Sequence, residues 1–358
     1  MSESRATIEI DGTDVSDDLL RAGVEVEVDE AIGEPDAATV TMSITPTAEG
    51  EWPSPIDRLT TPGAELRVRV EHGDVAYTFA GVAVSAAWTI APDGASSVVC
   101  RALDHTVDMD RVERVVAWPG TADSAIASSI FASYGFAAEV ETTPAGPDPD
   151  VFTPVQRATD WMYLRALAAK WGYSTFLEVD GDKVAGHFRP IDPTASPSAT
   201  LRFGYGDEAP SVTVDVDLDG AGTVDAARVP PLSDRAVSAD AAGADQLQGS
   251  EPIAAARTTL LGPGDVDGEI DPFEAATGRA RAQAFGVRLT ATTDPISRGP
   301  MVRARRTVEV HGLGSRLSGL YLVERVSHTI SEDHHRQELV LVRNALGAGG
   351  GSPLGGLV

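Results

Sequence analysis

The sequence predicts a mostly β protein in which two barrel-like β domains flank a small α/β insert. Three observations predict it. Apolar and polar residues alternate with period two near both ends of the chain, as in Val24-Glu25-Val26-Glu27-Val28 and Leu66-Arg67-Val68-Arg69-Val70, a pattern that buries one face of a strand and wets the other. Turn signals separate these runs at short intervals: Gly33-Glu34-Pro35-Asp36, Thr61-Pro62-Gly63, His72-Gly73-Asp74 and Pro92-Asp93-Gly94. In the middle of the chain the apolar spacing becomes helical.

Taken in order, residues 1–110 read as the first barrel-like domain, with a further alternating run at Ala38-Thr39-Val40-Thr41-Met42-Ser43-Ile44. Residues 111–200 read as the insert. Thr121 is expected to cap a helix running to about Tyr134, with Gly135 just past its end and Ile126, Ile130, Phe131 and Tyr134 as its apolar stripe. A second helix is signalled by Thr159 as N-cap, Asp160 in the first turn, helical spacing of Trp161, Leu164, Leu167, Ala168 and Trp171, and Gly172 as terminator. A hairpin over 173–179 and 183–189 follows, turning at Asp180-Gly181-Asp182. Residues 201–345 read as the second barrel-like domain. It is expected to hold a long surface loop over about 228–270, a helix starting at Asp271-Pro272-Phe273-Glu274, and strands over 287–293, 301–311, 320–330 and 336–342. Residues 346–358 read as a flexible Gly-rich tail.

Composition excludes several partners. Of 358 residues, 42% are hydrophobic, enough for folded cores. Asp and Glu number 54 against 28 Lys and Arg, a formal charge of −26 with no basic block, so neither nucleic acid nor an anionic membrane is an expected partner. No apolar run approaches the roughly 20 residues that cross a bilayer, and the start MSESRATIEIDG lacks a basic segment followed by an apolar one. Assembly in the cytoplasm, without membrane insertion by this chain, is therefore expected. Cys100, the only cysteine, can form no intrachain disulfide and reads as a core residue.

Several motifs have chemical potential, and each also has a plainer reading. Asp215-Val216-Asp217-Leu218-Asp219-Gly220 opens like a calcium loop, but the twelfth position is Ala226 where a bidentate Glu is needed. A strand with its acids facing water fits better. Glu332-Asp333-His334-His335 reads as a polar hairpin turn rather than a metal site. Gly204-Tyr205-Gly206-Asp207-Glu208-Ala209 is a poor dinucleotide fingerprint, since Pro210 stands where a helix would run. Asp104-His105 could join a triad only on paper. Trp161 and Trp171 read as core anchors. Arg303, Arg305 and Arg306 form the one basic cluster, read either as a solvated strand face or as a docking patch for an acidic neighbouring subunit. No catalytic, cofactor-binding or metal-ligating residue is expected, and no cofactor.

A faint repeat is visible. Pro62-Gly63, 66–70 and Phe79-Ala80-Gly81-Val82 are echoed by Thr307-Val308-Glu309-Val310, Gly312 and Ser318-Gly319-Leu320-Tyr321-Leu322-Val323. Both read as a strand, a turn and a small-residue–Gly step into another strand.

Three parts of the sequence carry a family resemblance. Gln156-Arg157-Ala158-Thr159-Asp160-Trp161-Met162-Tyr163-Leu164-Arg165-Ala166-Leu167-Ala168, followed by Trp171-Gly172-Tyr173, resembles the signature of phage late-control D proteins, shared by contractile-tail baseplate hubs and the N-terminal part of VgrG. The positions that match are Gln156, Asp160, Leu164, Leu167, Trp171, Gly172 and Tyr173. The run from Ser318 to Ile330 resembles the family's later pattern through Gly319, Tyr321, Val323 and His328. The early Phe79-Ala80-Gly81-Val82, followed by Arg101-Ala102-Leu103-Asp104, is similar to its first barrel. The resemblance implies a non-enzymatic structural protein of a phage tail or contractile injection system: a hub that forms a homotrimer, each subunit giving two related barrels, so that a threefold ring seats a hexameric tail tube on one side and a trimeric spike on the other. Tail tube protein, spike protein and other baseplate subunits are the implied partners. VgrG chains continue into a spike, whereas this sequence ends on a Gly-rich tail, so the resemblance implies a stand-alone hub whose spike is a separate protein. Two rival readings are a β-rich carbohydrate-binding module, for which the 6% aromatic content is low, and a tail-associated hydrolase.

Overall fold

The computed structural model describes residues 4–16, 24–45, 54–91, 96–204, 211–217, 219, 221–228, 237–241, 246–261, 272–295, 299–331 and 334–347. The sequence readings that fall on 92–95, 205–210, 218, 220, 229–236, 242–245, 262–271, 332–333 and 348–358 lie outside them.

The alternating runs of the first hundred residues form β1 (Ser4–Ile10), β2 (Thr13–Asp14), β3 (Glu25–Ala31), β4 (Ala37–Ile44), β5 (Glu65–His72), β6 (Val75–Thr89) and β7 (Ser96–Asp104), with a short helix α1 (Ser54–Leu59) between β4 and β5. Their inward residues, among them Ile8, Val26, Val28, Val40, Met42, Leu66, Val68, Phe79, Val98 and Cys100, make one core. Each fully buried aliphatic side chain there contributes about 1.5–3 kcal/mol. Burial pushes the Cys100 thiol up to about 11, so it behaves as a small apolar residue.

The insert contains α2 (Thr106–Met109), β8 (Glu113–Ala117), α3 (Asp123–Ser133), β9 (Ala137–Val140), β10 (Val155–Thr159), α4 (Asp160–Trp171), β11 (Ser174–Asp180) and β12 (Lys183–Arg189). α4 begins as expected: the Thr159 hydroxyl accepts from the Met162 amide, and Gly172 closes the helix at φ 64°. α3 differs from expectation at its start. Ala122, not Thr121, holds the N-cap position, and the Ser124 amide donates to the Thr143 hydroxyl at 3.0 Å. A residue 19 positions downstream thus does the capping. The apolar faces of α3 and α4 meet around Ile126, Phe131, Trp161, Leu164 and Phe188.

The last part holds β13 (Ala199–Arg202), β14 (Val212–Val216), β15 (Ala221–Arg228), β16 (Val237–Ala241), β17 (Glu251–Pro252), β18 (Ala254–Leu261), α5 (Pro272–Gln283), β19 (Val287–Thr293), β20 (Thr307–His311), α6 (Gly314–Leu317), β21 (Gly319–Ile330), β22 (His335–Arg343) and β23 (Ala345–Leu346). The stretch expected as a long surface loop over 228–270 therefore carries β16, β17 and β18. Alanine, a poor strand former, is frequent in β16 and β18 and hides them from a pattern search. The segment expected as one strand over 301–311 is shorter: 299–306 is irregular and only β20 is extended.

The mostly β class with a helical insert is borne out. The two β modules are not separate closed barrels, however. Among the described residues they form one open sheet of 13 strands, in the order β14-β19-β22-β21-β3-β4-β7-β6-β5-β1-β2, with β20 beside β21 and β13 beside β20. They join where the second half of β21 pairs antiparallel with β3, from Arg325 opposite Ala31 to Ile330 opposite Val26.

The modules repeat each other strand for strand. The order β3-β4-β7-β6-β5 corresponds to β14-β19-β22-β21-β20. Leu66 pairs with Gly81 as Val308 pairs with Tyr321. Val82 pairs with Leu103 as Leu322 pairs with Val342. Val40 pairs with Cys100 as Ala291 pairs with Leu339, and Val26 pairs with Val40 as Val212 pairs with Ala291. Each long strand carries a one-residue bulge at the same place, Val84 in β6 and Glu324 in β21. The sequence echo is real but displaced by two residues, because Gly319 corresponds to Phe79 rather than to Gly81. One edge differs: β1 joins β5 antiparallel, while β13 joins β20 parallel.

Candidate assembly junction

The three parts of the chain meet at a buried charged cluster built by the irregular segment before β20. There Arg305 adopts φ 64°, a left-handed conformation rare for a residue with a side chain. Its amide donates to the Val323 carbonyl at 2.9 Å, which anchors the turn on β21. The turn sends three guanidiniums to three different acids. Arg303 Nε donates to both oxygens of Glu30 on β3, at 3.0 and 3.2 Å. Arg305 grips Asp36, just before β4, in a two-pronged pair, with Nη1 to Oδ2 at 3.1 Å, and also donates to the Ala31 carbonyl at 2.8 Å. Arg306 Nη2 donates to both oxygens of Glu178 on β11, at 3.0 and 3.1 Å. Aromatic rings wall the cluster: Arg303 lies 4.3 Å from the Tyr77 ring centre and Arg305 4.6 Å from that of Phe176. The reading of these arginines as a solvated face or an external docking patch is thereby corrected. Their acidic partners lie within the same chain, as far as 273 positions away for Arg303 and Glu30.

Asp104 makes a fourth carboxylate, accepting from the Asp36 amide at 3.1 Å and from the Thr106 amide at 3.0 Å. Four acids facing three guanidiniums leave a surplus of negative charge. Burial raises Asp104, and burial pushes Asp36 up to about 7 against the pull of Arg305, with Glu30 and Asp104 adding to the rise. At Glu30 burial also acts upward, but Arg303 and His328 outweigh it and hold the carboxyl below its ordinary range. His328 continues the network. Its ring stacks on Tyr77 at 6.2 Å, and its Nδ1 lies 3.1 Å from His335 Nε2. The adjoining cavity, about 10 Å3 and lined by Asp36, Tyr77, Asp104 and Glu178, is too small for a substrate. With these carboxylates engaged and no room beside them, the arrangement fastens parts together.

The other residues singled out in the sequence also have structural settings. Gln156 is buried and donates to Asp160 Oδ1 at 2.7 Å; Asp160 also accepts from the Tyr134 hydroxyl at 2.7 Å and pairs with Arg114 at 3.1 Å. Leu164 and Leu167 lie in the insert core with Tyr173 packed against it. Trp171 donates its indole N–H to Asp123 at 2.8 Å. Gly172 is doubly required, since a Cβ there would come within 2.5 Å of the Gly278 backbone on α5. Gly319, at φ 131°, leaves room for Arg343, whose side chain donates to the Ser318 and Gln248 carbonyls at 3.0 and 2.9 Å. The Tyr321 hydroxyl donates to the Leu317 carbonyl at 2.7 Å, and Val323 is core. His105 pairs with Asp108 and not with Asp104. Asp215 is exposed on β14, as the strand reading expected. His335 is the first residue of β22, and the His334 carbonyl accepts from the Ser331 amide at 3.0 Å. Among the described residues no group of His, Cys, Asp and Glu is placed to hold a metal ion. Sequence reading missed Glu30, Asp36 and Glu178, whose partners are remote in the chain. The signal was faint: Glu30 breaks the apolar alternation of its strand.

No curated protein matches the sequence. Solved structures share its fold. A tail protein from Neisseria meningitidis MC58 superposes with a TM-score of 0.64 at 14% identity, over 95% of this chain and 97% of that one. The E. coli c3393 protein, a type VI secretion component described as similar to the T4 tail proteins gp27 and gp5, gives 0.55 at 11% identity, over 97% of this chain and 79% of that one. A Francisella PdpA–VgrG complex gives 0.55 at 10% identity, over 96% of this chain and 53% of that one. The likeness to phage tail and VgrG-related proteins read from the sequence is thus met in the fold. Residues 2–229, well over half the chain, match the Alg8 N-terminal domain, and the protein belongs to that family.

Proposed function

We propose that this chain is the structural hub of a contractile tail or injection machine. Three copies form a ring whose six β modules seat a hexameric tail tube on one face, while the threefold ring holds a trimeric spike on the other. The observation that carries this reading is the doubled module: two five-stranded units of one connectivity and one register in a single polypeptide. A closed ring needs repeating complementary surfaces, and two alike units per subunit let three subunits offer six. The fold shared with tail proteins and a type VI secretion component supports the setting. The hub reading assigns residues 1–110 and 201–345 to the ring modules and 111–200 to the outer insert. Its role is mechanical, with tube, spike and neighbouring baseplate proteins as partners, and no bond is made or broken.

The test is mass measurement by analytical ultracentrifugation of the chain alone and with the cognate tube and spike proteins. A trimer that binds both is expected. A strict monomer that ignores both would overturn the reading.

A further inference from the structure

The internal repeat shows which strand edges are left without partners among the described residues. In the second module the far half of β21 is covered by β3. Its counterpart, the far half of β6, pairs only with β7 among the described residues, from Ser85 to Thr89. In the first module β3 is covered on both sides, by β4 and β21. Its counterpart β14 pairs only with β19 among the described residues. The chain thus carries one seam, β21 against β3, and two strand edges equivalent to its two sides that have no strand partner among the described residues.

We propose that β6 of one copy pairs antiparallel with β14 of the next, repeating between chains the seam that β21 and β3 make within one. This rests on the hub reading and names the surface by which its copies join. Transferring the observed register places Ser85 opposite Asp217, Ala87 opposite Asp215, Trp88 opposite Val214 and Ile90 opposite Val212 of the neighbouring copy.

Three observations support a second copy as the occupant. First, burial is missing where the partner should lie. His328 and Ile330 on β21 are buried, whereas their counterparts Trp88 and Ile90 are 43% and 69% exposed. An apolar sheet edge of this kind is a template for pairing. Second, a groove of about 500 Å3 runs beside this edge, lined by Leu59, Pro62, Val84, Ala86, Trp88 and Val107 among others. Third, the charges change in step on both sides of the seam. At the internal seam Arg303 and Arg305 meet Glu30 and Asp36. The positions equivalent to the arginines are Thr61 and Gly63, and those equivalent to the acids are Val216 and Val287. Gly63 even keeps the left-handed backbone of Arg305, at φ 83°. Both members of each ion pair are absent together, as expected if these two edges face each other. A wrong pairing, β6 against β3 or β21 against β14, would bury a charge without its partner and is disfavoured for that reason.

The test is a disulfide between copies, carried by Ala87→Cys and Asp215→Cys in the full chain, because directly opposed strand residues lie within disulfide reach. Oxidation of the double variant is expected to give a ladder that ends at three chains. A mixture of the two single variants is expected to give only linked pairs. A trimer by mass with no cross-link overturns the edge pairing and leaves the hub reading standing. A ladder extending past three keeps the edge pairing and overturns the threefold ring. A link from the Asp215→Cys variant to a tube or spike protein instead of a second copy assigns the edge to that protein and overturns the proposal. Trp88→Glu gives an independent check. It is expected to weaken self-association at least ~100-fold, as removal of a central aromatic anchor does, while leaving the melting temperature of the dilute chain unchanged. Wild-type association in that variant overturns the proposal.

Discussion

Arg305 and Asp36 are 269 positions apart in the chain, and their side chains form a two-pronged buried ion pair. The pair ties the segment before β20 to the start of β4, and Arg306 beside it holds the insert through Glu178. Removing one member of such a pair leaves a buried charge without compensation. Arg305→Met is expected to lower unfolding free energy by about 3–5 kcal/mol. Pairing it with Asp36→Asn is expected to cost less than the sum of the single changes, measured by denaturant titration.

The contact of Gly172 with Gly278 brings α4 and α5 together backbone to backbone. Gly172→Ala combines a strained φ of 64° with a clash, and should destabilise by about 2 kcal/mol or more. Gly278→Ala adds the clash alone and should cost less. Thermal melts of the two variants check the order.

Gly319 and Arg343 make a similar pair beside α6. A Cβ on Gly319 would stand 2.9 Å from the Arg343 guanidinium, which is buried under the Tyr321 ring at 5.5 Å. Gly319→Ala should push the crowded Nη2 away from the Gln248 carbonyl and destabilise by about 2 kcal/mol, each lost charged hydrogen bond counting for about 1.5–3 kcal/mol. Gly319→Ala with Arg343→Met should recover part of the loss, read by the same melts.

His335 gives the clearest pH dependence. Burial, with His328, His72 and His334 nearby and Asp294 opposing, lowers its imidazole to about 3 from an ordinary 6.5. Between those values the unfolded chain binds a proton that the folded chain refuses. The stability that a neutral His335 contributes is therefore present above pH 6.5 and declines as pH falls towards 3, by about 1 kcal/mol per pH unit. His335→Gln should flatten that part of the stability curve, as seen by denaturant titrations at several pH values.

Much of the fold was legible because its signals are local. α4 announces itself through the Thr159 cap, the spacing of Trp161, Leu164 and Leu167, and Gly172 at its end. The strands β3, β4 and β5 follow from period two. What stayed hidden depends on distant partners. Thr143 caps α3 across a loop, and Arg303 reads as a surface charge until Glu30 is folded against it. The repeat was half visible: its hairpins share a grammar, but the register emerged only from the pairing of β6 with β7 and of β21 with β22. The resemblance carried by Gln156, Asp160 and His328 pointed to a family without revealing that these residues are held in buried polar contacts.

The seam between β21 and β3 is tethered, because both strands belong to one polypeptide. Its two halves face each other at a local concentration on the order of millimolar, whatever the bulk concentration. The seam proposed between copies has no such tether and obeys mass action. Dilution should open the second while the first stays shut, exposing the lip formed by Trp88 and Ile90. The supply of newly made chain, more than the stability of its fold, would then govern how many rings are complete.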